Sequence, residues 1–584
     1  MSEAATDVMR VVATAGHVDH GKSSLVRALT GTDPDRWAEE QRRGLTLDLG
    51  FAHTRLPSGA GLSIVDVPGH VRFLPNMLAG VGAVSACLFV VAATEVWKPQ
   101  SEEHLRILEL LGVQHGVIAL TKVDLVDADH RWLAAADVVD HVADTFLAGA
   151  PVVEVSSTTG EGLDAVRRAL DDLVVATPSA PDRDRPRLWI DRVFAARGSG
   201  TVVTGTLTGG TVAVDDRVEV GARRLPARVR GLQTLGHPVD VIGPGHRVAV
   251  NLAGVEHHLL ARGDAVVRMG QWHWTRTVDA ELSVLPSLDH AVSRRGAYVA
   301  YVGSAEIPAR MRVLGTEALD PGACNAVRLH LATDVPLLPG DRFVLRESGR
   351  SETVGGGEIL DVAPRRRASQ ARPDRSVDRV IDEHGWIDVD LLERLTGERH
   401  MPTVGRLVVA PRAWEAAADA LGRRIDEAGD SGVDVASLDE HARAALEVAL
   451  ARGEVEVVSD RVRRPGVVDP LADHPEIERL RAGGLAPPDP EVLDRGQLRE
   501  LVRRGVLFER DDLWFHVEAL DLAGRTAARL LATSPEGFTM AMFRDALGIT
   551  RKHAVPLATE LDARGITRRR GDLRIGGPRL PGPT

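Results

Sequence analysis

Eight residues, Gly16 to Ser23 (GHVDHGKS), have the types and spacing to hold a polyphosphate. They fit the pattern G-x-x-x-x-G-K-[ST] and follow a short apolar run, Val11-Val12-Ala13; Leu25, Val26, Ala28 and Leu29 then continue at helical spacing. A strand leading in and a helix leading out put backbone N–H groups at a helix N-terminus, where unpaired donors and the helix dipole both favour anions. Gly16, His17, Val18, Asp19, His20, Gly21, Lys22, Ser23 and Ser24 are therefore expected to wrap a nucleotide's phosphates. Lys22 is expected to reach the β- and γ-phosphates, and the Ser23 hydroxyl to ligate Mg²⁺. Asp66 and Gly69, in DVPGH, follow a second apolar strand; the carboxylate suits Mg²⁺ held through water, and the glycine can offer an N–H to a γ-phosphate. Thr121, Lys122 and Asp124 follow a third strand, and Asp124 can accept two hydrogen bonds from guanine N1–H and N2–H₂, which adenine cannot offer. Ser156 and Ser157 follow a fourth strand and are placed to meet the base from its other edge; Thr46 lies in a segment able to bring its hydroxyl to Mg²⁺. Each motif alone is an ordinary turn. Five in this order, each set against a strand, predict a GTPase domain that binds GTP or GDP with Mg²⁺.

Those motifs need a doubly wound α/β domain to position them, and the chain is long enough for more. At 584 residues it has room for about four domains of about 150 residues. Two cysteines, Cys87 and Cys324, are too few for a disulfide scaffold or a Cys-rich zinc site and point to a reducing interior. No apolar run has bilayer-spanning length and no basic-then-apolar leader is seen, so a soluble, cytoplasmic chain without membrane contact is expected. A net charge of −12 argues against indiscriminate nucleic-acid binding, and 4% aromatic residues leave RNA to be read by charge and shape.

Four regions follow. Residues 1–177 carry the motifs, and a Pro-rich charged linker, PSAPDRDRPR, closes them off. From 186 to 270, and again from 275 to 363, short apolar strands alternate with Gly-rich turns, the mark of two β-barrels. Glu256, His257 and His258 are consecutive and cannot converge on one ion, so a surface loop is expected. From 374 to 584 the pattern turns helical and repeats. Helices ending at Gly453, Gly505 and Gly565 are each followed by two short strands with a charged turn, which reads as the back half of a winged helix; a poorer copy spans 376–411. The last copy, about 520–584, is the basic one: residues 541–584 hold nine Lys/Arg against four Asp/Glu. Arg551 and Lys552 open a helix where the dipole disfavours cations, and Arg568, Arg569, Arg570 and Arg574 are expected to line the wing. These six are the expected RNA contacts.

GHVDHGKS, RGLT, DVPGH and TKVD resemble the translational GTPases, the class that includes elongation factor Tu. The resemblance implies that His70 positions the attacking water on the ribosome, and that Val18 and Leu45 form an apolar gate holding it back. Thr121 stands where the class has Asn, which implies a weakened loop brace with Asp124 intact; Thr94 and Val96 stand where Asp and Gly are expected. RGLTLDLGF, LWIDRVF, GSGTVVTGT and GITRKHAVPL, with the winged-helix tail, resemble the bacterial selenocysteine-specific elongation factors over essentially the whole chain. That resemblance implies a monomer that carries selenocysteyl-tRNA to the ribosome with GTP and holds an mRNA hairpin (SECIS) near a UGA codon. It also implies a selenocysteine pocket at Asp191, Arg192 and Arg247. A general aminoacyl-tRNA carrier and a GTP-switched DNA binder are the alternatives; neither predicts a preference for selenocysteine.

Overall fold

The computed structural model describes residues 9–34, 46, 48–70, 73–82, 84–196, 200–466 and 471–582. The chain divides into two compact units, Met1–Ala413 and Trp414–Thr584. Leu45, half of the expected gate, lies outside the described residues, as does the Arg43-Gly44 pair before it.

The first unit begins with a six-stranded sheet. Its elements are β1 (Met9–Ala15), α1 (Lys22–Thr30), β2 (Gly50–Arg55), β3 (Gly61–Asp66), α2 (Leu74–Val81), β4 (Ala86–Ala92), α3 (Pro99–Leu110), β5 (His115–Thr121), α4 (Ala128–Val142), β6 (Val152–Glu154) and α5 (Leu163–Ala176). The strand order is β2-β3-β1-β4-β5-β6, parallel except for β2, with Val12 opposite both Ile64 and Ala86. β4 is buried at every residue because helices cover both faces, which is why it reads as a continuous apolar run. One face packs under α1 and α5, the other under α2, α3 and α4. Since the strands run in parallel, the phosphate loop, DVPGH and TKVD emerge at one edge, the C-terminal ends of β1, β3 and β5.

Two closed six-stranded barrels follow. The first runs through Arg217–Val220, Ala265–Arg268, Arg187–Trp189, Gly200–Thr208, Arg247–Ala253 and Leu225–Thr234; the second through Trp274–Val284, Cys324–Pro336, Ala305–Val313, Tyr298–Val302, Arg342–Glu347 and Glu352–Asp361. Strand Ala305–Val313 alternates buried and exposed at every position, the period-2 signature of a barrel wall. Tyr301 and Val344 of the second barrel join the GTPase core, on strands that pack against α2 and α3 respectively. The segment Glu256–His258 is an exposed single turn with Glu256 and His258 paired at 3.2 Å, as a surface loop should be.

The poorer copy at 376–411 is two helices, Val377–His384 and Val389–Thr396, with paired strands Trp386–Asp388 and Leu407–Val409. It does not group with the rest of the tail, as a single region at 374–584 implied. Val380, Ile381, Leu392 and Leu395 share one core with the second barrel, and Arg379 pairs with Asp361 at 2.8 Å, so the module belongs to the first unit.

In the second unit, helices Glu440–Ala451, Arg495–Arg503 and Arg551–Ala563 each end at a left-handed glycine, Gly453 (φ 69°), Gly505 (φ 71°) and Gly565 (φ 72°). The N–H after each glycine reaches back into the last helical turn, as Val506 does to the Leu501 carbonyl at 3.0 Å, which fixes how the chain leaves the helix. Hairpins follow, and the pairs Ser459-Asp460 and Asp511-Asp512 take positive φ at both central residues of their turns.

Candidate functional site

The nucleotide loop is built by close approach. At Gly16 (φ 127°) a Cβ would overlap the Val90 carbonyl of β4, so only glycine lets β1 turn there. Gly69 is pressed on the loop from the other side, where a Cβ would lie 2.7 Å from the Val18 nitrogen. Lys22 is buried and donates to the Gly16 and His17 carbonyls at 3.0 and 2.8 Å, which stretches its chain across the loop mouth. Behind the loop, α3 presents Gln100 and His104 on one face, four residues apart. Gln100 Oε1 accepts from Val18 N–H at 3.2 Å and His104 Nδ1 from Gly16 N–H at 3.1 Å. Burial lowers the His104 pKa to about 3 and the His20 pKa to about 4, so both imidazoles are neutral at neutral pH. Sequence reasoning missed Gln100 and His104; their i, i+4 spacing in PQSEEH was the available signal.

Three oxygens converge in front of the loop. Ser23 Oγ is 2.8 Å from Thr46 Oγ1 and donates to Asp66 Oδ2 at 2.6 Å. Thr14 orients the carboxylate by donating to Asp66 Oδ1 at 2.7 Å while accepting from Val67 N–H at 3.0 Å. Two hydroxyls and a fully buried carboxylate are the hard donors that Mg²⁺ takes, so the set fits that ion. His70 is half-buried, next in the chain to Gly69, with its ring 6.0 Å from Phe73.

At the base end, Asp124 is exposed and has no partner among the described residues. The Thr121 hydroxyl donates to the His20 carbonyl at 2.6 Å, so the brace between this motif and the phosphate loop is present and short, against the expectation that Thr weakens it. Lys122 pairs with Glu95 at 3.3 Å. Ser156 is buried and turned inward, its Oγ accepting from the Thr158 and Thr159 N–H groups, which leaves Ser157 half-buried beside it. Asp19 and Ser24 are exposed at the loop. Val96 takes φ 51°, the left-handed region that a β-branched residue resists, which explains why glycine is expected there; Thr94 is exposed and nothing in the structure accounts for it.

Asp191, Arg192 and Arg247 do come together, at the seam between β2 and the first barrel. Arg247 donates to both carboxylate oxygens of Asp191 at 2.8 and 3.1 Å, and Thr204 Oγ1 donates to the same group at 2.6 Å. The Arg247 and Arg192 guanidinium carbons lie 3.5 and 4.4 Å from the ring centroid of Phe51, and Arg192 also donates to the Leu49 carbonyl. Phe51, Arg192, Thr204 and Arg247 line a cavity of about 240 Å³ together with His53 and Gln233, and Asp191 holds Arg247 from outside that lining. Two guanidiniums against one carboxylate leave the wall net positive. Phe51 was not singled out from sequence; it becomes a site residue only because β2 faces the barrel.

In the last winged module, Arg551 and Lys552 open the helix Arg551–Ala563 and are exposed, as are Arg568, Arg569 and Arg570 on strand Thr567–Arg570. Arg574 is a correction. Its side chain is 11% exposed, pairs with Asp562 at 3.0 Å and touches Met540 Sδ, so it braces the wing from inside and is not offered at the surface.

Comparison with known proteins agrees with this layout. Residues 7–176 match the elongation factor Tu GTP binding domain, 280–366 the β-barrel domain of selenocysteine-specific elongation factor, and 529–575 the winged helix of elongation factor SelB. The chain is 32% identical to a selenocysteine-specific elongation factor of Desulfomicrobium baculatum, over 97% of this chain and 99% of that protein. It is 35% identical to the Escherichia coli (strain K12) protein of the same name, over 62% and 56% of the two. Against elongation factor Tu 2 of Streptomyces avermitilis it is 33% identical, over 60% of this chain and 96% of the other. Among solved structures, a bacterial selenocysteine-specific elongation factor EF-Sec superposes over 97% of this chain and 99% of its own, with a TM-score of 0.71 at 24% identity, a likeness of fold.

Proposed function

The chain belongs to the selenocysteine-specific elongation factors and is a translational GTPase, and from that premise we propose that it delivers selenocysteyl-tRNA to the ribosome at UGA codons while its last winged module holds an mRNA hairpin. The observation that carries the reading is the seam pocket, where Arg192 and Arg247 meet over Phe51. Selenocysteine is ionised at neutral pH and serine is not, so a net-positive wall beside an aromatic face separates them by charge rather than by size. Partial burial strengthens that contrast, because a charge pair gains more where the dielectric is low.

The rest of the cycle follows from the nucleotide site. The loop N–H groups and Lys22 bind the phosphates, and Asp124 reads guanine. Ser23, Thr46 and Asp66, the last through water, would hold Mg²⁺, which neutralises charge on the β- and γ-phosphates. His70 orients a water whose oxygen attacks the γ-phosphorus as the bond to the β–γ bridging oxygen breaks, releasing phosphate and GDP. Loss of the γ-phosphate frees the segments that carry Thr46 and His70, and the aminoacyl end is let go. Meanwhile Arg551, Lys552 and Arg568 to Arg570 supply phosphate contacts to the hairpin, and that tether raises the local concentration of the carrier at one codon. Such a factor works in the cytoplasm and as a monomer; no helix among the described residues is long and apolar enough to cross a membrane.

The test is protection of the aminoacyl ester from hydrolysis. With GTP, the protein should protect selenocysteyl-tRNA and leave seryl-tRNA on the same tRNA body unprotected; equal protection would make it a general carrier.

A further inference from the structure

A second titratable cluster lies away from the nucleotide and the seam, at a corner of the second barrel. Glu347 ends strand Arg342–Glu347, Glu352 begins strand Glu352–Asp361, and the two face each other directly in register. Like charges opposite one another destabilise a strand pair unless a cation lies between them. His290, in the loop before Val292–Ser293, points its Nε2 at both, 3.2 Å from Glu347 Oε2 and 3.6 Å from Glu352 Oε1. For a tetrahedral zinc ion with bonds of about 2.0–2.2 Å, ligand atoms stand about 3.3–3.6 Å apart. The observed spacings are close to those edges, and all three ligand atoms lie within 4.8 Å of one another. Glu352 Oε1 is shielded from solvent yet accepts no hydrogen bond. On the far side of the ring, Asp289 Oδ1 is 3.0 Å from Nδ1, the place of a carboxylate that orients a metal-bound histidine.

We propose that His290, Glu347 and Glu352 bind a divalent transition metal, zinc by preference, with water as the fourth ligand. Arg350 approaches His290 Nδ1 at 3.0 Å and pairs with Asp289 at 3.4 Å and Glu347 at 4.0 Å, so its half-exposed side chain must give up these contacts and turn outward for Nδ1–H to donate to Asp289. The ion takes the place in front of Nε2 that the contact with Glu347 Oε2 at 3.2 Å otherwise fills. The residues flanking the two glutamates, Arg346 and Thr353, both reach Glu103 of α3 at 3.3 Å. A metal here clamps the hairpin through which the second barrel holds the GTPase domain.

The test uses the full chain, stripped of metal and then saturated with GDP and Mg²⁺ so that the nucleotide site is filled. Calorimetric titration with zinc chloride should give one saturable site per chain. Glu352→Gln and Asp289→Asn should each weaken it by at least roughly tenfold, the scale for losing a ligand or its orienting partner. His257→Ala with His258→Ala should leave it unchanged, and zinc should raise the melting temperature of the wild type but not of Glu352→Gln. Absence of saturable binding, or equal affinity in wild type and Glu352→Gln, overturns the site in favour of an imidazolium held by carboxylates. His290→Ala should abolish the site; if that variant fails to fold, Glu352→Gln, at a side chain 36% exposed, decides alone.

Discussion

The nucleotide loop and the last winged module present their polar groups in opposite ways. Around the loop, Lys22, Asp66, Thr121, His20 and His104 are buried, and the hydrogen bonds they make are short or specific to the loop backbone. In the winged module, Arg551, Lys552, Arg568 and Arg570 stand in solvent with no carboxylate of the described residues against them. The first arrangement holds groups in place before a ligand arrives, so losing one group disturbs a whole constellation. The second offers charge alone, so its effects are graded, screened by salt and roughly additive. Arg574 shows the dividing line inside one hairpin: buried beside Asp562, it behaves like the first class although it lies in the second.

The sharpest way to break that contrast is His70→Ala. Ribosome-stimulated GTP turnover should fall by about 10² or more with GTP affinity nearly intact; unchanged stimulated turnover would reduce His70 to a structural residue. Next is Arg247→Ala, which should weaken selenocysteyl-tRNA binding more than seryl-tRNA binding. The substitution also leaves Asp191, 9% exposed, without its bidentate partner, so part of the loss is a buried carboxylate's penalty of about 1–3 kcal/mol. Adding Asp191→Asn should remove that part and restore seryl-tRNA binding alone. Equal recovery for both tRNAs would deny the pocket its selectivity.

Protonation probes the packed side without touching a ligand. His20 and His104 have folded pKa values of about 4 and 3, below the unfolded value of 6.5, so the unfolded chain takes up their protons first. The stability they supply is complete above about pH 6.5 and falls, as pH drops toward 4, by up to about 1.4 kcal/mol per pH unit for each histidine. Melting of the GDP-bound protein should show that slope, and His104→Gln should flatten it; an identical slope in the variant would put the acid sensitivity elsewhere. On the exposed side, Arg551→Ala with Lys552→Ala should lower the salt dependence of hairpin binding by about one unit of slope for each phosphate that is no longer neutralised. Arg574→Ala should instead lower the melting temperature of the second unit and leave the slope alone. A change of slope with Arg574 and none with the pair would reverse the assignment. The smallest effect belongs to Val96→Gly, which should release left-handed backbone strain and stabilise the GTPase domain by about 1 kcal/mol. A fall in melting temperature there would mean that the valine's packing outweighs its strain.

Much of the molecule was legible because its signals are local. GHVDHGKS, DVPGH and TKVD are short backbone devices whose residues are neighbours in the chain, and the glycines at 453, 505 and 565 mark helix ends by a conformation they alone take cheaply. What stayed hidden depends on residues brought together from far apart. Gln100 and His104 act on a loop more than 80 residues earlier. Nothing local distinguishes Arg574 from its neighbours, since only the approach of Asp562 and Met540 decides that it turns inward.

By itself, then, the sequence determined the chemistry available to this chain: a phosphate loop, a carboxylate with the acceptors guanine would need, a triplet of Mg²⁺-suited oxygens and a basic final module. Local backbone geometry and residue type suffice for those, and neither changes with the company a residue keeps. Tertiary structure alone decided that Phe51 joins Arg192 and Arg247, that the first winged module shares the second barrel's core, and that Glu347 and Glu352 meet across a strand pair. Each of these rests on which apolar faces bury one another, and that is settled only when the elements pack.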